Sequence, residues 1–282
     1  MKIITNVNEL KDFRKSSNFQ NKRTGFVPTM GALHDGHLSL IEKAKNENDI
    51  AVVSIFVNPR QFNDANDYKN YIIKIEDDIK LLESVNCDLL FFPSNEDIYN
   101  NYEGYSMDFK GLDRIYEGEF RPGHFQGVVD IVYRLFSLVE PQKAYFGEKD
   151  FQQLAIIKLM TRQANLNIEI IPCSIVRETS GLAMSSRNFR LTEYQKNIAS
   201  KVYAILRSFQ KSITISDNPA IISEDISGKI NLEPLLKSEY VVFCDNDTLK
   251  SVEKFERNTV IRLCVAFWCE KVRLIDNISL QF

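Results

Sequence analysis

The chain has 282 residues, 44% hydrophobic and 26% charged, with a formal net charge of -3 and a sequence pI of about 5.8. That balance describes a folded globular protein of one large or two smaller domains, and disorder is not its default reading. It also excludes broad electrostatic binding to nucleic acid or a membrane surface, which needs clustered Lys and Arg, so any phosphate site must be local.

The opening MKIITNVNELKDF lacks the apolar core of a secretory signal, and no apolar run reaches the length of a membrane span, so the expected compartment is the cytoplasm. The cysteines Cys87, Cys173, Cys244, Cys264 and Cys269 are odd in number and lack CxxC spacing, and read as reduced thiols, mostly in the core.

Along the chain, short apolar runs alternate with segments of helical period. Strands are predicted at GFVPT from Gly25, IAVVSIFVN from Ile50, DLLFFP from Asp88, KAYFG from Lys143 and IEIIP from Ile168. Helices are predicted over His37 to Asn48, Tyr71 to Val85, Gly127 to Val139 and Phe151 to Asn165. The strands show little polar alternation, as in a parallel sheet covered on both faces. The pattern predicts an α/β, Rossmann-like parallel-sheet domain over residues 1–174.

Beyond Cys173 the organisation changes. A Ser- and Gly-containing loop leads to a helix capped by Thr192, with Tyr194, Ile198, Val202, Leu206 and Phe209 at helical spacing. The stretch SDNPAIISEDISGKINLEP carries only weak signals. YVVFCD, NTVIRLCVAFWC and VRLIDNISL then read as strands, giving a smaller C-terminal α+β domain over residues 175–282.

The segment VPTMGALHDGHLSL carries two of the three histidines, His34 and His37, just after the first predicted strand. In an open parallel sheet, ligands bind outside the carboxyl ends of the strands, and a glycine turn opening a helix is a ready phosphate site. Gly31 and Gly36 admit close backbone approach, and Asp35 is the expected helix cap. The two imidazoles can donate to phosphoryl oxygens as charge builds on them. HxGH in this setting suits attack at an α-phosphate with pyrophosphate leaving.

PTMGALHDGH is similar to the HxGH signature of the nucleotidyltransferase superfamily, and its fuller form resembles the pantoate:β-alanine ligase (pantothenate synthetase) family. VVSIFVNPRQF, RPGHFQGV, YFGEKDFQQL, GLAMSSRN and RLIDN match that family in order, over nearly the whole chain. The resemblance implies an AMP-forming carbon–nitrogen ligase of pantothenate and coenzyme A biosynthesis. It would join pantoate to β-alanine with ATP and Mg²⁺, through a pantoyl adenylate.

Carried over by motif, the resemblance places ATP on Met30, Gly31, Ala32, Leu33, His34, Asp35, Gly36 and His37, with His37 as proton donor. A second ATP segment is Gly147, Glu148, Lys149 and Asp150, where Lys149 balances phosphate charge. A third is Val176, contacting adenine through its backbone, with Met184, Ser185, Ser186 and Arg187 on the triphosphate. His34, His37, Lys149 and Arg187 are the implied catalytic set. Gln61 and Gln153 would bind pantoate, Gln61 also β-alanine, and Asn58 would support that pocket; amides both donate to and accept from hydroxyls. The implied first domain binds ATP and pantoate, and the second carries the Ser-Ser-Arg loop and closes over the site.

A homodimer is implied as well. Asp77 and Asp78 sit on a predicted helix and read as solvated, so no protein ligand is assigned to Mg²⁺, which phosphates would mainly hold. His124, in RPGHFQGV, receives no role. Where the family has YPRT, this chain has Tyr71, Ile72, Ile73 and Lys74, which puts the loop beside Gln61 in doubt. An HxGH adenylyltransferase acting on a phosphate-bearing acceptor is the alternative, though it would want more cations at the acceptor. A silent nucleotide-binding regulator would lack one of His34, His37, Lys149 or Arg187, and all are present.

Overall fold

The computed structural model describes residues 1–16, 19–63, 68–69, 71 and 74–282. The family departure at Ile72 and Ile73 lies outside the described residues. The chain forms two compact units. One comprises Met1–Glu148 and Gln152–Ser174, the other Lys149–Phe151 and Ile175–Phe282.

In the first unit the described elements are β1 (Lys2–Ile4), α1 (Val7–Lys15), β2 (Thr24–Thr29), α2 (Asp35–Glu47), β3 (Ile50–Ile55), α3 (Ile75–Ser84) and β4 (Leu89–Phe91). There follow α4 (Asn95–Tyr99), α5 (Glu117–Phe120), α6 (His124–Val139), β5 (Lys143–Gly147), α7 (Phe151–Gln163) and β6 (Glu169–Cys173). The strands make one parallel sheet in the order β1-β4-β3-β2-β5-β6, the predicted α/β architecture.

Successive residues of its central strands face opposite sides. Phe26, Val52 and Leu89 pack on one face with Val128, Val132 and Phe136 of α6. Val27, Val53 and Leu90 pack on the other with Leu40 and Ile41 of α2 and Leu82 of α3. Every residue of β3 is buried, which is why it reads as an unbroken apolar run. β2 lies between β3 and β5, and the chain order reverses there. The carboxyl ends of β2 and β5 therefore flank the switch point where such sheets bind ligands.

Four elements of this unit, β1, α1, α4 and α5, have no counterpart in the sequence reading. β1 is only three residues long, and α1 buries just Val7 and Leu10. Asn6 starts α1 by accepting a 2.8 Å hydrogen bond from the Glu9 N–H.

In the second unit, α8 (Glu193–Ser212) and α9 (Pro219–Asn231) pack on an antiparallel sheet of β7 (Leu236–Asp245), β8 (Val260–Cys269) and β9 (Val272–Gln281). Thr192 caps α8 as predicted, in a reciprocal box with Gln195, and Ile198, Val202, Leu206 and Phe209 are buried. Tyr194, counted on that apolar face, is exposed. The weak-signal stretch contains α9: Asn218 accepts from the Ala220 and Ile221 N–H groups, Pro219 fills the first turn, and Ile226 and Ile230 are buried. Among the described residues, no helix is long and apolar enough to cross a membrane.

Candidate active site

At the end of β2 the chain turns through Gly31 (φ 79°) and Ala32 (φ 49°) into α2. The Thr29 hydroxyl donates to the Ser54 carbonyl at 2.9 Å and accepts from the Gly31 N–H at 3.2 Å. Asp78 of α3 completes the turn, its carboxylate accepting from the Ala32 N–H at 2.9 Å and the Leu33 N–H at 2.7 Å. The reading of this acidic pair as solvated holds for Asp77 but fails for Asp78, which is 1% exposed. Burial raises the Asp78 carboxyl above its ordinary range, while the two backbone donors pull the other way. A Cβ on Gly31 would come within 3.0 Å of that carboxylate, so the turn needs glycine for space as well as for φ.

His34, not Asp35, caps α2. Asp35 is already the first helical residue, and the His34 Nδ1 accepts from the Gly36 N–H at 3.1 Å. A ring nitrogen that accepts a hydrogen bond carries no proton, so the neutral His34 ring bears its proton on Nε2. The His37 ring lies against it, with centroids 4.1 Å apart and planes inclined by 36°. The cap thus defines one imidazole tautomer, and the first turn of α2 sets a second imidazole against it at a tilt. Asp35, in that first turn, is exposed.

A second assembly in the first unit surrounds Gln61. Asn58 is buried and its amide has one possible orientation: Nδ2 donates to the Gly127 carbonyl at 2.9 Å, and Oδ1 accepts from the Arg60 N–H at 3.1 Å and the Tyr99 hydroxyl at 2.5 Å. Nδ2 also reaches the Gln61 Oε1 at 3.2 Å. The other end of the Gln61 amide is therefore its nitrogen, which donates to the Met30 sulfur at 3.2 Å.

His124 supplies the backbone anchor. It is buried, and its Nδ1 donates to the Gln61 carbonyl at 2.8 Å. The Arg60 guanidinium stacks 3.8 Å from the Tyr99 ring centre and pairs with Asp130 at 2.7 Å. Burial pushes the Tyr99 hydroxyl far above its ordinary range, so it stays a donor. Gln153 lies half-buried on α7.

In the second unit, residues 175–191 form a tight loop. The Met184 N–H donates to the Val176 carbonyl at 3.0 Å, joining two of the residues expected at ATP. Ser185 caps the short helix Ser186–Arg190 through a 3.2 Å bond from the Arg187 N–H to its Oγ. Buried Asn188 ties the loop to Glu178 (2.8 Å) and to the Ala183 carbonyl (3.1 Å). Arg177, which sequence reasoning passed over, anchors the loop. Its guanidinium forms a two-pronged pair with Asp276 at 2.7 and 2.8 Å and lies 3.6 Å from the centre of the Tyr203 ring. Its isolated position in the sequence gives no sign of a partner about a hundred residues later.

Gly147 ends β5 and Glu148 follows it in the first unit, whereas Lys149 and Asp150 belong to the second. The Lys149 side chain is largely buried, with its ammonium 3.9 Å from Asp150.

A parallel sheet whose switch-point turn carries two adjoining imidazoles, one of them a helix cap, defines an α/β enzyme of the HxGH nucleotidyltransferase type. The family model described as pantoate-beta-alanine ligase matches residues 2–279. A pantothenate synthetase of Cytophaga hutchinsonii is 44% identical over 277 residues, covering 98% of both chains. Among solved structures, the pantothenate synthetase of Thermus thermophilus superposes with a TM-score of 0.91 at 36% identity over 100% of both chains. The pantoate-beta-alanine ligase of Francisella tularensis, complexed with beta-gamma ATP and beta-alanine, gives 0.81 at 39% identity, covering 99% of this chain and 97% of that one. The chain belongs to the pantoate-beta-alanine ligase family, and it is a ligase.

Proposed function

We propose that this enzyme condenses pantoate with β-alanine at the expense of ATP, giving pantothenate, AMP and pyrophosphate through a pantoyl adenylate. The observation that carries the reading is the full-length match to pantoate-beta-alanine ligases, within which the β2–α2 turn has the chemistry that adenylate formation needs.

A carboxylate is a poor electrophile until one of its oxygens becomes part of a phosphoric leaving group. In the first half-reaction a pantoate carboxylate oxygen attacks the α-phosphorus and the bond to pyrophosphate breaks. Met30 to His37 cradle the nucleotide, the His34 Nε2–H donates to phosphoryl oxygen, and His37 protonates the departing group. Lys149, Ser185, Ser186 and Arg187 balance and hold triphosphate charge, Gly147, Glu148, Asp150 and Met184 complete the nucleotide contacts, and the Val176 backbone meets adenine.

Gln61 and Gln153 orient pantoate, Gln61 through the amide N–H whose orientation Asn58 sets. In the second half-reaction the β-alanine amine, placed by Gln61, attacks the acyl carbon and AMP leaves. Binding energy on adenine and phosphate holds the reacting atoms in place through both steps. We assign nucleotide and pantoate binding to residues 1–174, and to residues 175–282 the Ser-Ser-Arg loop that closes on the triphosphate.

Among the described residues, no group of three or more His, Cys, Asp or Glu gathers to hold a metal, and Asp78 is engaged with two backbone N–H groups. Mg²⁺ would arrive on ATP, ligated mainly by phosphate oxygens and water, where it would neutralise charge. We further assign the enzyme to the cytoplasm, as a homodimer.

Enzyme supplied with ATP and pantoate alone should release about one equivalent of pyrophosphate per site and stop, because a closed pocket keeps water from the acyl phosphate. β-Alanine should restart turnover. A heavy-oxygen label in the pantoate carboxylate should appear in AMP. Label in inorganic phosphate, with ADP as product, would overturn the adenylate route.

A further inference from the structure

The segment RLIDN, Arg273 to Asn277, enters the family resemblance without a role, and the reaction outlined above does not use it. Asn277 on β9 is 2% exposed. Its Oδ1 accepts from the Arg262 guanidinium at 3.1 Å. Arginine only donates, so the other end of the amide must be the NH₂ group, and that Nδ2 donates to the main-chain carbonyl of Lys149 at 3.1 Å. The backbone of Asn277 is itself held, its N–H donating to the Asp276 carboxylate at 2.7 Å, the same carboxylate that clamps Arg177.

Arg262, on the paired strand β8, grips the segment from its other side. Its guanidinium lies 4.2 Å from the centre of the Phe151 ring, two residues after Lys149. Lys149–Phe151 accordingly belongs to the second unit, although β5 before it and α7 from Gln152 onward belong to the first. Asp276 and Asn277, adjacent in sequence, thus join two nucleotide segments: one through Arg177 beside Val176, the other through the Lys149 carbonyl.

We propose that Asn277 is a positioning residue for Lys149: its amide, oriented by Arg262, sets the backbone from which the ammonium reaches the triphosphate. The inference rests on Lys149 acting in adenylate formation, as set out under the proposed function. Asn277 would then serve the first half-reaction and not the second, since triphosphate charge is gone once pyrophosphate has left.

The test is Asn277→Asp, which keeps an oxygen for Arg262 and removes the donor to Lys149, combined with Lys149→Ala in a double-mutant cycle. Single-turnover pyrophosphate release from ATP and pantoate should slow about tenfold or more in Asn277→Asp, because an acceptor oxygen then faces the Lys149 carbonyl. Pantothenate formation from preformed pantoyl adenylate and β-alanine should change less than about twofold, because that step makes no demand on triphosphate charge. On the Lys149→Ala background, Asn277→Asp should have little further effect.

Asn277→Ser, which shortens the side chain without adding charge, goes through the same cycle, so that the outcome does not depend on one variant folding. Equal slowing of both half-reactions, or independent effects of the two sites, would overturn the positioning role. If Lys149→Ala left pyrophosphate release unchanged, the role of Lys149 would fall instead, and a chain making no pantothenate would remove the reaction itself.

Discussion

A Cβ placed on Gly127 would fall 2.3 Å from the carbonyl oxygen of Arg60 and 2.7 Å from the Gln61 nitrogen. Helix α6 thus packs on the 59–61 turn at a distance only glycine allows, while the Gly127 carbonyl takes the Asn58 amide. Gly127→Ala should therefore cost about 1–3 kcal/mol as an overpacked contact between two stretches of backbone. It should also raise the pantoate KM more than the ATP KM, because the displaced turn carries Gln61. Thermal unfolding and paired saturation curves check both; an unchanged pantoate KM would separate the turn from that substrate.

Asp78→Asn replaces two acceptor oxygens by one and points an NH₂ group at a backbone N–H of the turn. Adenylate formation should slow by roughly tenfold or more, since a buried donor is left facing a donor. Stability should respond to pH in a defined direction. The folded-state carboxyl sits above its ordinary value of 3.8, so the folded protein keeps a proton that the unfolded chain has released. That contribution is complete below the ordinary value and is lost as pH rises through the raised one. Denaturant midpoints measured across that window should fall with pH more steeply for the native protein than for Asp78→Asn.

His34 and His37 differ in what their loss should do. Either alanine variant should slow pyrophosphate release by about 10² to 10⁴ fold, the range for losing a positioned acid or charge-stabilising donor. Only His34→Ala should also remove a helix cap, at about 0.5–2 kcal/mol. His34→Asn should restore stability, because asparagine caps well, without restoring the rate. If His34→Ala and His37→Ala melted alike, the cap would contribute nothing measurable.

Burial holds the thiol of Cys87 up at about 12 and that of Cys173 at about 11, and raises that of Cys269. At pH 8 a disulfide reagent should leave Cys87, Cys173 and Cys269 unmodified in the folded protein and react first at Cys264, which is less buried than the other four. All five should react once the chain is unfolded. Rapid native labelling of Cys87 would contradict its place in the core.

The parallel sheet was legible because β2, β3 and β5 are buried on both faces and therefore read as unbroken apolar runs. Thr192 was legible as a cap because its chemistry is local. Asn218-Pro219 offered the same local signal for α9, weakened by the polar residues around it. What the sequence could not reveal depends on partners distant along the chain. Nothing about Asp78 distinguishes it from exposed Asp77 until α3 is placed against the β2–α2 turn. Likewise Arg177 gains a role only when Asp276 arrives on β9, and His124 only when the Gln61 carbonyl comes within reach of its ring. Asp35 was the natural choice for a cap by residue type. The structure shifts that position to His34 by starting the helix at Asp35 itself.

The three residues Lys149–Phe151 have a consequence for dissecting the protein. A fragment ending at Ser174 would carry Phe151 without the guanidinium of Arg262 over its ring, and would leave the Lys149 carbonyl without its amide partner. The complementary fragment would keep Arg262 and Asn277 with neither. No single cut of the gene therefore yields two halves each holding its own contacts, and mixing such fragments would have to thread one short stretch of backbone back into the other piece before either regained its native contacts.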